Sequence, residues 1–182
     1  MDKLITRIIM LAVLIIMLAE TRVHGQVNIE LHGGIGYSGV DMEAWSGTEP
    51  EDWGQFMSEV YATVYPLKLG GISLGAEFGY QYFFWYTTDV PGYSWVYEYN
   101  VDAFRLMILM RANLLSNLFV ELGPGAFMFG DWTDFGLTAS AGYRIGLTEH
   151  IAIPVKLRTE IILDRDANLF PVGLSAGFSY TF

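Results

Sequence analysis

The sequence has no cysteine, only ten lysines and arginines against twenty aspartates and glutamates, three histidines, and no long apolar run after its first residues. Without cysteine there are no disulfides, even though an exported protein has access to them, so stability has to come from elsewhere. It also excludes a lipoprotein, which needs an N-terminal cysteine to carry the lipid. The lack of an apolar run near the roughly 20 residues that a membrane helix requires excludes spanning helices. The scarcity of bases in the predicted extracellular loops gives the outer rim a negative field that disfavours nucleic acid and anionic ligands there.

The one apolar run lies at the start, in MDKLITRIIMLAVLIIMLAETRVHGQ. Lys3 and Arg7 precede an apolar segment over 8–19, with the small or modest residues Val23 and Gly25 after it. This is the pattern of a secretory signal peptide, expected over 1–25, with the mature chain a single domain over 26–182. An uncleaved anchor fits less well, because the segment is short for a span.

What the chain does have is 20 glycines and a 15% aromatic content. From Val27 onward the apolar residues recur with a period near two, the sign of strands with two different faces. In GISLGAEFGYQYFFWY (71–86), Ile72, Leu74, Phe78, Tyr80 and Tyr82 fall on one face, and Ser73, Gly75, Glu77, Gly79 and Gln81 on the other. The alternation recurs over 27–37, 135–147, 151–163 and 171–182, and more weakly over 56–66, 101–113 and 118–129. Eight strands are therefore predicted. Asp102 and Arg105 have opposite parity, so a bulge or a strand start is expected between them. Pro124 and Pro154 fall inside strands, where proline removes a ladder hydrogen bond, and each predicts a bulge or a shorter strand.

The two faces decide the class. The second face carries glycine, serine, threonine and few charges, too small and too sparse for a surface in contact with water. The other is large, apolar and aromatic, and suits lipid. Apolar residues outside and polar residues inside, on segments of about ten residues, describe a membrane barrel. Closure satisfies every backbone donor and acceptor in lipid. The predicted fold class is all-β: an eight-stranded, antiparallel, up-and-down transmembrane barrel. The connections over 38–55, 67–71, 87–100, 114–117, 130–134, 148–150 and 164–170 alternate longer and shorter, the rhythm of extracellular loops and periplasmic turns. An even strand number leaves both termini in the periplasm.

The chain ends GLSAGFSYTF. Phe178, Tyr180 and Phe182 share the lipid-facing parity near one membrane interface, where aromatics are favoured. A terminal aromatic of this kind resembles the signal by which the barrel assembly machinery of Gram-negative bacteria recognises its clients. The whole mature chain resembles the small OmpA/OmpX-type barrels, and NLFVELGPGAFMFG (117–130) resembles the outer-membrane β-barrel domain common in Bacteroidetes. The resemblance implies an outer-membrane protein whose partners are membrane lipid and the assembly machinery.

Eight strands enclose an interior that side chains fill, so a wide aqueous pore is not expected. Predicted inward residues include Glu30, Glu59, Glu77, Glu121 and Glu160, against Arg105, Arg111, Arg144, Lys156 and Arg158. Five acids face five bases, the balance that desolvated charges require. Arg111 and Glu121 are expected to pair across the turn at 114–117. A structural plug explains this set better than a proton relay or gate.

Other motifs carry less. GIGYSG (34–39) matches a dinucleotide fingerprint, but the acidic loop after it lacks a helical period and would repel phosphate, and inward glycines making room for larger side chains account for it better. DRDAN (164–168) begins like a calcium loop, yet Leu169 and Ser175 stand where its glycine and glutamate belong, so no metal site is assigned. Of the histidines, His24 leaves with the signal peptide, His32 points inward from the first strand, and His150 lies in a periplasmic turn. None reaches the outer rim, so a serine–histidine or aspartate–histidine site there is not expected.

The loops hold Asp41, Glu43, Glu49, Glu51, Asp52, Asp89, Glu98, Asp102, Asp131, Asp134, Asp164 and Asp166, with Arg165 their one base. Among the interleaved aromatics, Trp45, Trp53, Trp95 and Trp132 are candidates for contact with an extracellular ligand. The expectation is a non-catalytic outer-membrane barrel with a structural or surface-interaction role, no cofactor and no nucleic-acid partner. A lipid-modifying barrel enzyme and a narrow solute or proton pore are the alternatives.

Overall fold

The computed structural model describes residues 27–41, 54–84, 100–130, 132–163 and 168–182. The proposed signal peptide at 1–25, the connections over 42–53 and 85–99 with Trp45, Trp53 and Trp95, and Asp164 and Asp166 lie outside the described residues.

Eight strands follow one another in chain order: β1 (Asn28–Asp41), β2 (Gly54–Leu69), β3 (Ile72–Phe84), β4 (Asn100–Asn113), β5 (Leu118–Phe129), β6 (Trp132–Gly146), β7 (Ile151–Leu163) and β8 (Asn168–Thr181). Each pairs antiparallel with its neighbours, and β1 with β8 closes the barrel. Closure leaves no edge strand, so the ladder satisfies the backbone all round. The alternation predicted from the sequence holds. Leu31, Ile35, Leu137, Leu157 and Leu174 are exposed on the outside, while Glu30, Glu77, Thr138, Arg158 and Ser175 are buried inside. No helix among the described residues is long and apolar enough to cross a membrane.

The two ends of the barrel differ. One, here the turn end, carries both the first and the last strand terminus and the tight connections at Gly70–Gly71, 114–117 and 147–150. Gly70 supplies the positive φ (62°) that its turn requires. The other, the loop end, carries the connections over 42–53, 85–99, 130–131 and 164–167. The predicted long–short rhythm fails there at one point. β5 and β6 run on until Phe129 pairs with Trp132, and Gly130 at φ 50° closes the hairpin.

Three further expectations change. Asp102 and Arg105 lie on opposite faces of an unbroken β3–β4 register, with no bulge between them, because Asp102 points outward opposite Tyr82. Pro124 and Pro154 both sit within full-length strands, opposite Leu137 and Arg144, with no shift in those ladders. The proline that does mark an irregularity is Pro66. The β2–β3 register shifts between Val64 and Leu67, and β2 continues past it to Leu69. Finally, Asp41 and Asp134 belong to strands rather than loops, and Asp134 is buried within the barrel rim.

Inward glycines form a floor beneath side chains from adjacent strands. A Cβ on Gly142 would stand 2.3 Å from Phe119 Cζ, and one on Gly34 would stand 2.8 Å from Glu59 Oε1. Gly36, the middle glycine of GIGYSG, lies under the Met57 methyl at 2.6 Å by the same measure. These glycines are needed for space rather than for backbone freedom.

Candidate functional site: the filled lumen

The interior is stacked in three layers along the barrel axis. Nearest the turn end, Arg111 of β4 stands opposite Glu121 of β5. Its Nε donates to Glu121 Oε1 at 2.7 Å, while Nη1 and Nη2 donate to the two oxygens of Glu30, on β1, at 2.7 and 2.6 Å. Lys156 from β7 adds a second cation, 3.1 Å from Glu30 and 3.2 Å from Glu121. Ser140 donates to the other Glu121 oxygen, the one beside Lys156, at 2.8 Å, and the Tyr65 hydroxyl also donates to Glu121. The Arg111 guanidinium is held between the rings of Tyr65 and Phe119, 4.0 and 4.2 Å from their centroids. Stacking suits a planar, weakly hydrated cation.

The middle layer repeats the scheme, with β4 and β7 again supplying the cations. Arg158 forks onto both oxygens of Glu77 at 2.8 and 2.7 Å. Arg105 Nη1 bridges Glu59 and Glu160 at 2.8 Å each, and its Nε lies 3.1 Å from Glu77. Gln81 donates to Glu160 at 2.6 Å and Thr63 to Glu77 at 3.0 Å. The Tyr61 ring is flanked by Arg105 at 4.6 Å and Arg158 at 4.2 Å.

Toward the loop end the lining turns apolar. Met57, Phe83, Ala103, Met107, Phe127, Phe129 and Ile162 form one buried cluster, with Leu169 packed against it. Trp132 opens β6 at this rim and stacks on Phe129, centroids 5.9 Å apart. The sequence reading, which took the inner face as small or polar, misses this layer. The parity of Phe83 and Phe127 was the available signal.

Nine of the ten charged residues predicted to face inward are buried in the two ionic layers. Arg144 differs: it lies at the rim of the turn end, its side chain 29% exposed, with one ion pair among the described residues, at 3.4 Å to Glu30. Tyr61, Tyr65 and Phe119, which sandwich the cations, were not foreseen as part of the network. They share the inward face with Glu59 and Glu121, and that alternation identifies them.

His32 Nε2 lies 3.1 Å from Glu30 Oε2, and its ring stacks on Tyr61 at a 4.7 Å centroid distance. It is enclosed in the turn-end ionic layer, and no serine hydroxyl is paired with it among the described residues. His150 sits in the exposed β6–β7 turn, with Nδ1 2.9 Å from the Thr181 carbonyl oxygen. On the outer face, Phe178, Tyr180 and Phe182 lie together at the turn end, and Tyr180 meets Phe182 edge-on with centroids 4.8 Å apart.

No protein-family model and no curated protein sequence matches the chain. Solved structures do. The crystal structure of neisserial surface protein A is 11% identical, covers 87% of this chain and 99% of its own, and superposes with a TM-score of 0.51. The solid-state NMR structure of the outer membrane protein AlkL in lipid bilayers is 15% identical, with coverage of 87% and 90% and a TM-score of 0.55. At such identities the likeness concerns the fold, and with the closed antiparallel barrel it leads to one conclusion: the chain has the architecture of the small eight-stranded outer-membrane β-barrels.

Proposed function

We propose that the protein is an integral outer-membrane barrel that works without catalysis, as a structural or surface-interaction protein. The observation that carries this reading is the filled lumen. Two layers of mutually paired charges and an apolar layer occupy the interior, which leaves no wide aqueous path and no accessible acid–base pair in the lumen among the described residues. The outer face supports lipid as its surroundings, since large apolar side chains stand exposed on every strand.

In this reading residues 1–25 direct export and are removed, and the turn end with both termini faces the periplasm. Phe178, Tyr180 and Phe182 present the last strand to the assembly machinery. The acidic loops with Trp45, Trp53 and Trp95 contact an extracellular ligand together with Trp132, which stacks on Phe129 at the loop-end rim. Membrane fractionation followed by electrophoresis with and without boiling tests the reading. An outer-membrane product with a heat-dependent mobility shift, silent in a planar bilayer, is expected. A soluble product without the shift refutes the membrane barrel, and steady single-channel current refutes the closed lumen.

A further inference from the structure

The mouth of the lumen at the turn end carries two cations beyond those that the adjoining ionic layer holds in close pairs. Glu30 and Glu121 are the carboxylates of the adjoining ionic layer, and Arg111 and Lys156 already engage both. Two cations remain. Arg144 has one polar contact, at 3.4 Å to Glu30, and a looser one over the Phe119 ring at 5.7 Å, and its Nε is buried without a hydrogen-bond partner. Lys68 makes no ion pair within 4 Å among the described residues, although Glu149 lies at the same end.

Lys68 faces the mouth because of a backbone irregularity. Tyr65 points inward, and with an unbroken alternation residue 68 would point outward. The register shift between Val64 and Leu67 reverses the parity, so that Lys68 pairs with the buried, inward Ser73. Bulges re-aim side chains in this way, often beside functional sites.

Between these cations lies a cleft of about 60 Å³ whose walls include Asn28, Lys68, Ser73, Arg111, Asn113 and Arg144. That is room for about two waters or one small oxyanion. Asn28 is only 9% exposed and holds its amide nitrogen on Ser179 and Thr181, at 2.8 and 2.9 Å. Its Oδ1 is buried without a hydrogen-bond partner in the wall of this cleft, an acceptor that a small shift of the side chain would offer to water or a protonated oxyanion.

We propose that the turn-end mouth is a binding site for a small oxyanion, a carboxylate or phosphate group, held by Arg144 and Lys68, with Asn28 accepting from a bridging water or, for a protonated phosphate, from its hydroxyl. A guanidinium presents a planar donor edge to such a group, and an ammonium supplies a second, mobile donor. The occupant reaches the mouth from the aqueous compartment on that side or from a neighbouring lipid headgroup.

The test uses the full chain in nanodiscs of zwitterionic lipid, titrated with inorganic phosphate and, separately, with acetate, while backbone amides are followed by NMR. Saturable shifts confined to Asn28, Ser73, Asn113 and Arg144 are expected. The same shifts in nanodiscs containing phosphatidylglycerol, without added anion, would identify a headgroup as the source. In Arg144→Gln, Lys68→Gln and the double variant, binding weakens by at least about tenfold for each cation removed. Heat-dependent electrophoretic mobility checks that each variant is folded, and the exposed Lys68→Gln change serves alone should Arg144→Gln fail to fold. No saturable shift with any of the three probes, or shifts that the folded variants keep in full, overturns the proposal.

Discussion

Arg111 and Glu121 face each other across the β4–β5 ladder, and the same guanidinium clasps Glu30 on the far side of the lumen through two further hydrogen bonds. One side chain thereby links β1, β4 and β5, two of which are ladder neighbours and one of which is not. Arg111→Met leaves two buried carboxylates short of a partner, and a loss of about 3–5 kcal/mol is expected. Urea-dependent unfolding in lipid vesicles measures it. Adding Glu121→Gln to Arg111→Met should cost less than the sum of the two single changes, since the second removes a charge that the first left unpaired.

The glycine floor gives a second expectation. Gly142→Ala drives a methyl group into Phe119, and overpacking of this kind costs about 1–3 kcal/mol. Phe119→Leu in the same chain should recover part of the loss by vacating the space. Gly146, where an added Cβ meets nothing within 4 Å, serves as the control and should tolerate alanine with little change.

Ala139 lies on the outer face near the middle of β6, between Leu122 and Thr159 in the two adjacent ladders. Arginine there projects into the hydrocarbon region and is expected to cost about 2–4 kcal/mol in a bilayer. A smaller penalty, measured as the shift in folding equilibrium in vesicles, would mean that this face does not meet lipid.

Salt separates buried from exposed electrostatics. The charged atoms of both ionic layers are almost entirely enclosed, so mobile ions cannot enter to screen them. The unfolding midpoint is expected to move little between low and near-molar sodium chloride. A steep loss of stability with salt would show that solvent reaches these layers in the folded state.

Much of this molecule is legible in its alternation. Parity alone separates Glu77 from Phe78 and Arg158 from Leu157, and it assigns the ionic residues to the interior without knowledge of their partners. The partners themselves depend on which strands face each other across the closed barrel: Arg105 meets Glu160 and Arg111 meets Glu30 from strands far apart in sequence, a relation that no local pattern contains. The same limit explains Arg144, whose parity is right but whose place at the rim follows from where β6 ends. Prolines misled in the opposite sense. Pro124 and Pro154 look like interruptions and are absorbed where the ladder forgoes one donor, whereas Pro66, read as a strand end, lies at the shift that turns Lys68 inward.

The order of the layers also gives the interior a direction. An oily stopper near one rim and a charged mouth near the other mean that solutes in the medium meet the charged end of the interior only from the turn side. A protein reconstituted in one orientation would respond to a change of medium on the turn side, and hardly at all to the same change on the loop side.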